Sequence, residues 1–129
     1  MNTPEIITEL KPNEVFVYGS NQFARHGGGG ARIANERFGA VYENGPMGLV
    51  GQSYGIITTS FNDQKITKEV IYFQVIMLYN FAKLRPELTF YVTKIGTGIA
   101  GFSIDEMAEL FRSLQIFKPN NIVLPKEFC

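Results

Sequence analysis

VFVYGSNQFARHGGGGARIANERFG, Val15 to Gly39, is the stretch whose reading decides the fold class. It opens with the β-branched and aromatic run Val15–Tyr18, which reads as a short buried strand. It closes with Ala31–Phe38, which reads as a short helix beginning at or within the glycine run. Between them stand four consecutive glycines, Gly27–Gly30. Glycine is costly to order, so a run of four marks a backbone that adopts unusual dihedrals or brings bare N–H groups close to something. The following helix adds the partial positive charge of its N-terminus. The bland alternative is a flexible surface loop, and it explains poorly why the run lies between a buried strand and a helix. The expectation is an anion site.

Downstream the same alternation continues. Ser53–Ser60 (SYGIITTS) reads as a second strand and Leu88–Ile95 (LTFYVTKI) as a third. Thr67–Lys83 reads as a long helix, ended by Pro86 two residues after Leu84. Ser103–Leu114 is a helix with a capping box, Ser103 at the N-cap and Glu106 three residues on. Ile104, Met107, Ala108, Phe111 and Leu114 fall on one of its faces. Asn121–Leu124 is a last strand, closed by Pro125. Strands separated by helices predict a three-layer α/β domain over residues 1–129. Its sheet is mainly parallel, with helices on both faces and right-handed crossovers. Ligands of such sheets bind outside the carboxyl ends of the strands.

A second glycine loop falls at that edge. Gly96-Thr97-Gly98-Ile99-Ala100-Gly101 follows the third strand and precedes the capped helix. Its GxGxxG spacing invites a Rossmann dinucleotide reading. Only one strand remains after it, however, and no acidic residue ends a second strand about 20 residues on. What survives is a strand, a tight glycine loop and a capped helix, hence a second anion site. A third cluster, GPMGLVGQS, is not a P-loop, since Gln52 stands at the lysine position and a strand follows.

Taken together, the two loops resemble those of the macro domain family. Macro domains carry an Asn shortly before a GGG(G) run that opens a helix, and here Asn21 precedes Gly27–Gly30 at similar spacing. They later carry a loop like STGIYGF before another helix, and here Ile95–Phe102 reads IGTGIAGF. Ser53–Ser60 is similar to the family's central strand. The likeness spans roughly residues 15 to 125, and the GSN…RHG opening looks like a compact phage and bacterial group within it.

The resemblance implies binding of ADP-ribose or a related nucleotide diphosphate. Gly27, Gly28, Gly29, Gly30 and Ala31 would form the first loop. Gly96, Thr97, Gly98, Ile99, Ala100, Gly101 and Phe102 would form the second, with Asn21 facing the distal ribose. Some members hydrolyse ADP-ribosyl groups on proteins, nucleic acids or metabolites. One hydrolase type places an Asp where Arg32 stands, another where Ala100 stands, and the adenine-gripping Asp has no clear match. Binding is therefore expected ahead of catalysis. The hydrolase alternative would rest on Asn21 with His26 or a bound water. A third alternative is an interaction protein with the fold and no ligand.

Composition bounds these readings. Hydrophobic residues make up 45% of 129, which is ordinary for one globular domain. Lys plus Arg equals Asp plus Glu at 12 each, so no long nucleic acid is expected as partner. One His and one Cys cannot build a structural zinc site, and no cofactor is expected. Cys129 reads as a reduced thiol on a frayed tail. The first residues lack a basic region followed by an apolar run, and Val70–Ala82 is too short to span a bilayer. The expectation is a cytoplasmic protein without membrane contact.

His26, the only histidine, lies beside the glycine run, where it could serve as a base or touch a phosphate, or merely pack the turn. Asp63 and Lys65 could reach the same mouth, or belong to a solvated loop. Tyr54, Phe102 and Phe128 are candidate base stackers, although aromatics more often build core. In the long helix Val70, Ile71, Gln74, Val75, Leu78 and Ala82 form a face for the sheet. Tyr72, Phe73, Ile76, Met77 and Tyr79 remain apolar on the other sides. Either Ile6–Leu10 covers them or a homodimer does.

Overall fold

The computed structural model describes residues 1–21, 29–40, 47–60, 66–98 and 100–129. Strand β1 spans Glu14–Asn21, helix α1 Gly29–Arg37, β2 Gly48–Val50, β3 Ser53–Thr59 and α2 Lys68–Leu84. Strand β4 spans Thr89–Val92, α3 Ile104–Ser113 and β5 Ile122–Val123. Short 3₁₀ turns at Gln115–Phe117 and Lys126–Phe128 complete the chain.

The five strands form one sheet in the order β2-β3-β1-β4-β5. β1 runs parallel to both β3 and β4, and β4 parallel to β5. Only β2 is antiparallel, so the expected α/β sheet is present in mixed form. β2 was not read from the sequence. It is three residues long and joined to β3 by the two-residue turn Gly51-Gln52, with Gly51 at φ +60°. Two-residue hairpin turns require a positive φ at that position.

Period-two alternation along β1 divides the core. Val15 and Val17 point to one face, Phe16 and Tyr18 to the other. α1 lies on the Phe16/Tyr18 face through Ala31, Ala34 and Phe38, with the Phe16 and Phe38 ring centroids 5.0 Å apart. α2 and α3 cover the opposite face, where Ile71, Val75, Leu78, Met107, Phe111 and Leu114 surround Val17, Ile56 and Phe90.

The N-terminal segment does not cover α2, one of the two arrangements the sequence left open. Ile7 and Leu10 pack beside α1, on the face away from α2. Val70 and Ile104, expected against the sheet, are exposed. Both stand in the first turns of their helices, at the carboxyl edge of the sheet. The tail is not frayed. Phe128 is fully buried and stacks on Phe111 at 4.9 Å, while the exposed Cys129 Sγ accepts a hydrogen bond from Asn2 Nδ2 at 3.0 Å.

Two side-chain amides reinforce the backbone pairing. β2 pairs only with the first half of β3. Beyond it, the Ile57 N–H donates to Gln74 Oε1 at 2.7 Å, and Gln74 Nε2 donates to the Ile57 carbonyl at 2.8 Å. At the C-terminus of α2, Asn121 Nδ2 reaches the carbonyls of Ala82, Arg85 and Leu88 at 2.8–3.1 Å. The Ala82 and Arg85 carbonyls also accept the N–H groups of Arg85 and Leu88, at 3.1 and 3.0 Å, so Asn121 adds a further donor to that turn. No helix among the described residues is long and apolar enough to cross a membrane.

Candidate functional site

Strands β1, β3 and β4 are mutually parallel, so their carboxyl ends share one edge, and α1, α2 and α3 all start there. From β1 the chain leaves through α1 onto one face of the sheet. From its neighbour β4 it leaves through α3 onto the other. Two adjacent strands whose exits diverge to opposite faces leave a crevice between them. That switch point is the characteristic ligand position of open α/β sheets.

The floor of the crevice is tightly drawn. The last contacts between β1 and β4 are made by Thr93, whose N–H and Oγ1 both donate to the Val17 carbonyl, at 3.2 and 2.8 Å. Beyond this point β1 continues to Asn21 paired with β3 but no longer with β4. A Cβ on Gly19 would stand 3.0 Å from Thr58 Oγ1 and 3.7 Å from the Gly96 nitrogen. The bare Gly19 thus lets the end of β3 and the loop after β4 close in on β1 from both sides. Thr58 Oγ1 donates to the Ser20 carbonyl at 3.3 Å, and Ser20, Thr58 and Thr59 are all buried.

The loop after β4 is self-supporting. Thr97 Oγ1 donates to the Lys94 carbonyl at 2.7 Å, Gly101 N–H to Gly98 O at 3.0 Å, and Phe102 N–H to Gly96 O at 2.9 Å. Gly96 (φ +77°) and Gly101 (φ +80°) take left-handed dihedrals that favour glycine. A side chain at Gly96 would also press on Met107 Sδ at 3.1 Å. Gly98 differs from both. It is exposed, its φ is not left-handed, and among the described residues nothing lies within 4 Å of where a Cβ would be. Neither turn geometry nor packing among the described residues demands a glycine there. Among the described residues, no backbone carbonyl accepts from the Gly96 or Gly98 N–H.

The following helix is fixed by the expected capping box. Ser103 Oγ accepts from the Glu106 N–H at 3.0 Å, while Glu106 Oε1 accepts from the Ser103 N–H at 3.0 Å. Such a cap contributes about 1 kcal/mol and holds the loop's far end at a set place.

Asn21 is the final residue of β1, opposite Thr59 across a shift in register. Gly29, Gly30 and Ala31 form the first turn of α1. A Cβ on Gly30 would lie 3.5 Å from Tyr18 Cβ, so the helix start is seated directly on β1. His26, Gly27, Gly28 and Ile99, together with Asp63 and Lys65, lie outside the described residues. Ala100 and Phe102 are buried, and the Phe102 ring rests 3.4 Å from a Gly96 Cβ position. They shape the loop from beneath. Tyr54 is likewise core, among Phe81 and Phe90, so neither it nor Phe128 is available for stacking on a ligand.

The sequence reading missed the residues that seat the loops, Gly19, Ser20, Thr58 and Thr93. The signal was present in part, since small residues at strand ends accompany close backbone approach. It also missed a cavity of about 270 Å³ beside the crevice, on the α1 side of β4. Its walls include Phe16, Gly30, Ile33, Thr93 and Ile7. At its rim, Lys94 Nζ is held by Glu5 at 2.8 Å and Glu127 at 3.7 Å. The Glu5 hydrogen bond holds the ammonium above its ordinary pKa, and the same bond holds the Glu5 carboxyl below its own.

Chemically, the described crevice offers backbone N–H groups, helix starts and small hydroxyls. Arg32 faces outward on α1, paired with Glu36 at 2.8 Å. No group of metal-ligating side chains occurs among the described residues. Comparison with family models, curated proteins and solved structures finds no match to this chain.

Proposed function

We propose that the chain binds ADP-ribose or a related nucleotide diphosphate in the crevice between β1 and β4, its diphosphate lying between the start of α1 and the Gly96–Phe102 loop. The observation that carries this reading is Gly98. An exposed glycine with no structural need for its missing side chain, beside N–H groups without a described acceptor, suits close approach of an anion. The start of α1 adds its dipole from the other wall. The macro-like order of Asn21, the glycine run and IGTGIAGF supports the same ligand class. The neighbouring cavity adds apolar wall for the remainder of such a molecule.

Calorimetric titration with ADP-ribose, AMP and inorganic phosphate tests the proposal. ADP-ribose is expected to bind with micromolar affinity, on the order of −8 kcal/mol, and AMP and phosphate more weakly. Absence of heat with millimolar ADP-ribose would sink it. Binding is favoured over hydrolysis because neither Arg32, turned out toward Glu36, nor the buried Ala100 supplies a carboxylate.

A further inference from the structure

α2 carries a second apolar face that the fold does not use. Its core side is Ile71, Gln74, Val75, Leu78, Tyr79 and Ala82. On the opposite side Val70, Phe73, Met77 and Leu84 are 46%, 63%, 49% and 78% exposed. Val70, Met77 and Leu84 are seven residues apart, and Phe73 and Asn80 interleave them at the same period. That is the spacing of a helix–helix seam, a and d positions over the ~25 Å length of the helix. α3 gives the contrast, for its exposed residues include Asp105, Glu109 and Arg112, an ordinary solvated face. Of the two covers the sequence left open for α2, the segment Ile6–Leu10 lies on the other face of the sheet. Among the described residues nothing covers the seam.

The charges beside the seam choose its occupant. Glu69 stands at its beginning and Lys83 at its end, in equivalent flanking positions two heptads apart. In a parallel pair Glu69 and Lys83 of one copy would lie on the opposite side of the seam from those of the other, so neither would meet its counter-charge. An antiparallel one sets each Glu69 beside the Lys83 of the other chain, with Val70 against Leu84 and Met77 on the two-fold axis. Antiparallel packing also opposes the helix dipoles. We infer that this chain forms a two-fold symmetric homodimer in which the α2 helices pair antiparallel along Val70, Phe73, Met77 and Leu84. Isologous pairing is the usual way for a patch to satisfy itself. The start of α2 lies at the crevice edge of each copy, so the pairing sends the two crevices to opposite ends of the dimer.

Sedimentation of the full chain at micromolar concentration tests this, with twice the 14.5 kDa chain mass expected. Phe73→Glu should give a monomer with unchanged circular dichroism. Glu69→Lys and Lys83→Glu should each weaken the dimer roughly tenfold, because each turns two attractive pairs repulsive. The double variant Glu69→Lys/Lys83→Glu should recover the original affinity. A wild-type monomer at every concentration would overturn the inference. So would a dimer indifferent to Phe73→Glu, or a double variant no better than the single ones.

Discussion

At Gly39 and Gly51 the chain crosses itself so closely that a Cβ on Gly51 would stand 3.0 Å from the Gly39 Cα and 3.1 Å from the Phe38 carbonyl. At Gly98, on the far side of the molecule, a Cβ would meet none of the described residues within 4 Å. Both regions read as glycine clusters in the sequence, yet their glycines have opposite causes. The hairpin cluster lies at the amino edge of the sheet and locks elements together. Gln52 Nε2 holds the Lys11 carbonyl at 2.8 Å, Gln52 N–H donates to Phe38 O at 2.9 Å, and Ser53 Oγ donates to Phe38 O at 2.8 Å. Gln52 thus serves the hairpin itself. The β4–α3 loop uses Gly96 and Gly101 for its turns and leaves Gly98 to face outward. Glycine content alone marks close approach. What approaches, the chain itself or another molecule, is decided by the space around each one.

Substitutions separate the two causes, and the hairpin should suffer most. Gly51→Ala combines a left-handed φ with backbone neighbours that cannot swing away. A loss of about 3 kcal/mol is expected from strain and overpacking together, read as a lower denaturant midpoint at unchanged slope. Ligand affinity in the surviving folded protein should be unaltered. Gly96→Ala meets the flexible end of Met107 instead of backbone, so about 2 kcal/mol is expected. Should Gly96→Ala prove costlier than Gly51→Ala, the ranking of backbone over side-chain obstruction is wrong.

Gly98→Val reverses the pattern. Its stability should stay within about 0.5 kcal/mol of wild type, while ADP-ribose heat disappears from the calorimeter. A stable Gly98→Val protein that still binds would detach the ligand from this loop.

The smallest effect belongs to the ion pair that opens the same loop. Glu5 titrates below its ordinary 4.5, so its contribution is present above that value and fades as pH falls through the lowered one. Lys94 titrates above its ordinary 10.5, so its contribution fades only as pH rises beyond that. The tie therefore holds across neutrality and releases first in acid. NMR titration should show Ile6 and Ile7 methyls moving with the Glu5 carboxyl while Leu49 and Tyr54 at the hairpin stay still. Methyl shifts centred above pH 4.5 would contradict the assignment.

Much of this organisation was legible in the sequence because its signals are local. Strands β1, β3 and β4, the capping box at Ser103 and the long α2 each depend on residues within a few positions of one another. β2 was not legible, since three residues among glycines carry no alternation to detect. The exposure of Val70 and Ile104 escaped for a different reason. Val70 stands outside the arc of Ile71, Gln74, Val75, Leu78 and Ala82 and lines up with the exposed Phe73 and Met77, while Ile104 is the first residue of α3, ahead of the buried Met107 and Ala108. Ile6–Leu10 is apolar whichever face it joins, and only the tertiary arrangement sets it beside Phe16 and Tyr18. At the site, the loop Gly96–Phe102 was legible as a loop, whereas the separate duties of Gly96 and Gly98 depend on Met107 and on empty space, both remote in sequence.

The Gln74 amide has a consequence for how molecules meet one another. Among the described residues β2 shields only the first half of β3, and without Gln74 the Ile57 N–H and C=O would lie open there. An unpaired strand edge is a template on which another chain can crystallise into a growing ribbon. By engaging both groups of Ile57 from within its own helix, Gln74 imitates the missing neighbour and closes the template. One buried glutamine thus acts as a guard against aggregation, and an apolar residue of the same size would fill the core equally well while leaving that edge adhesive.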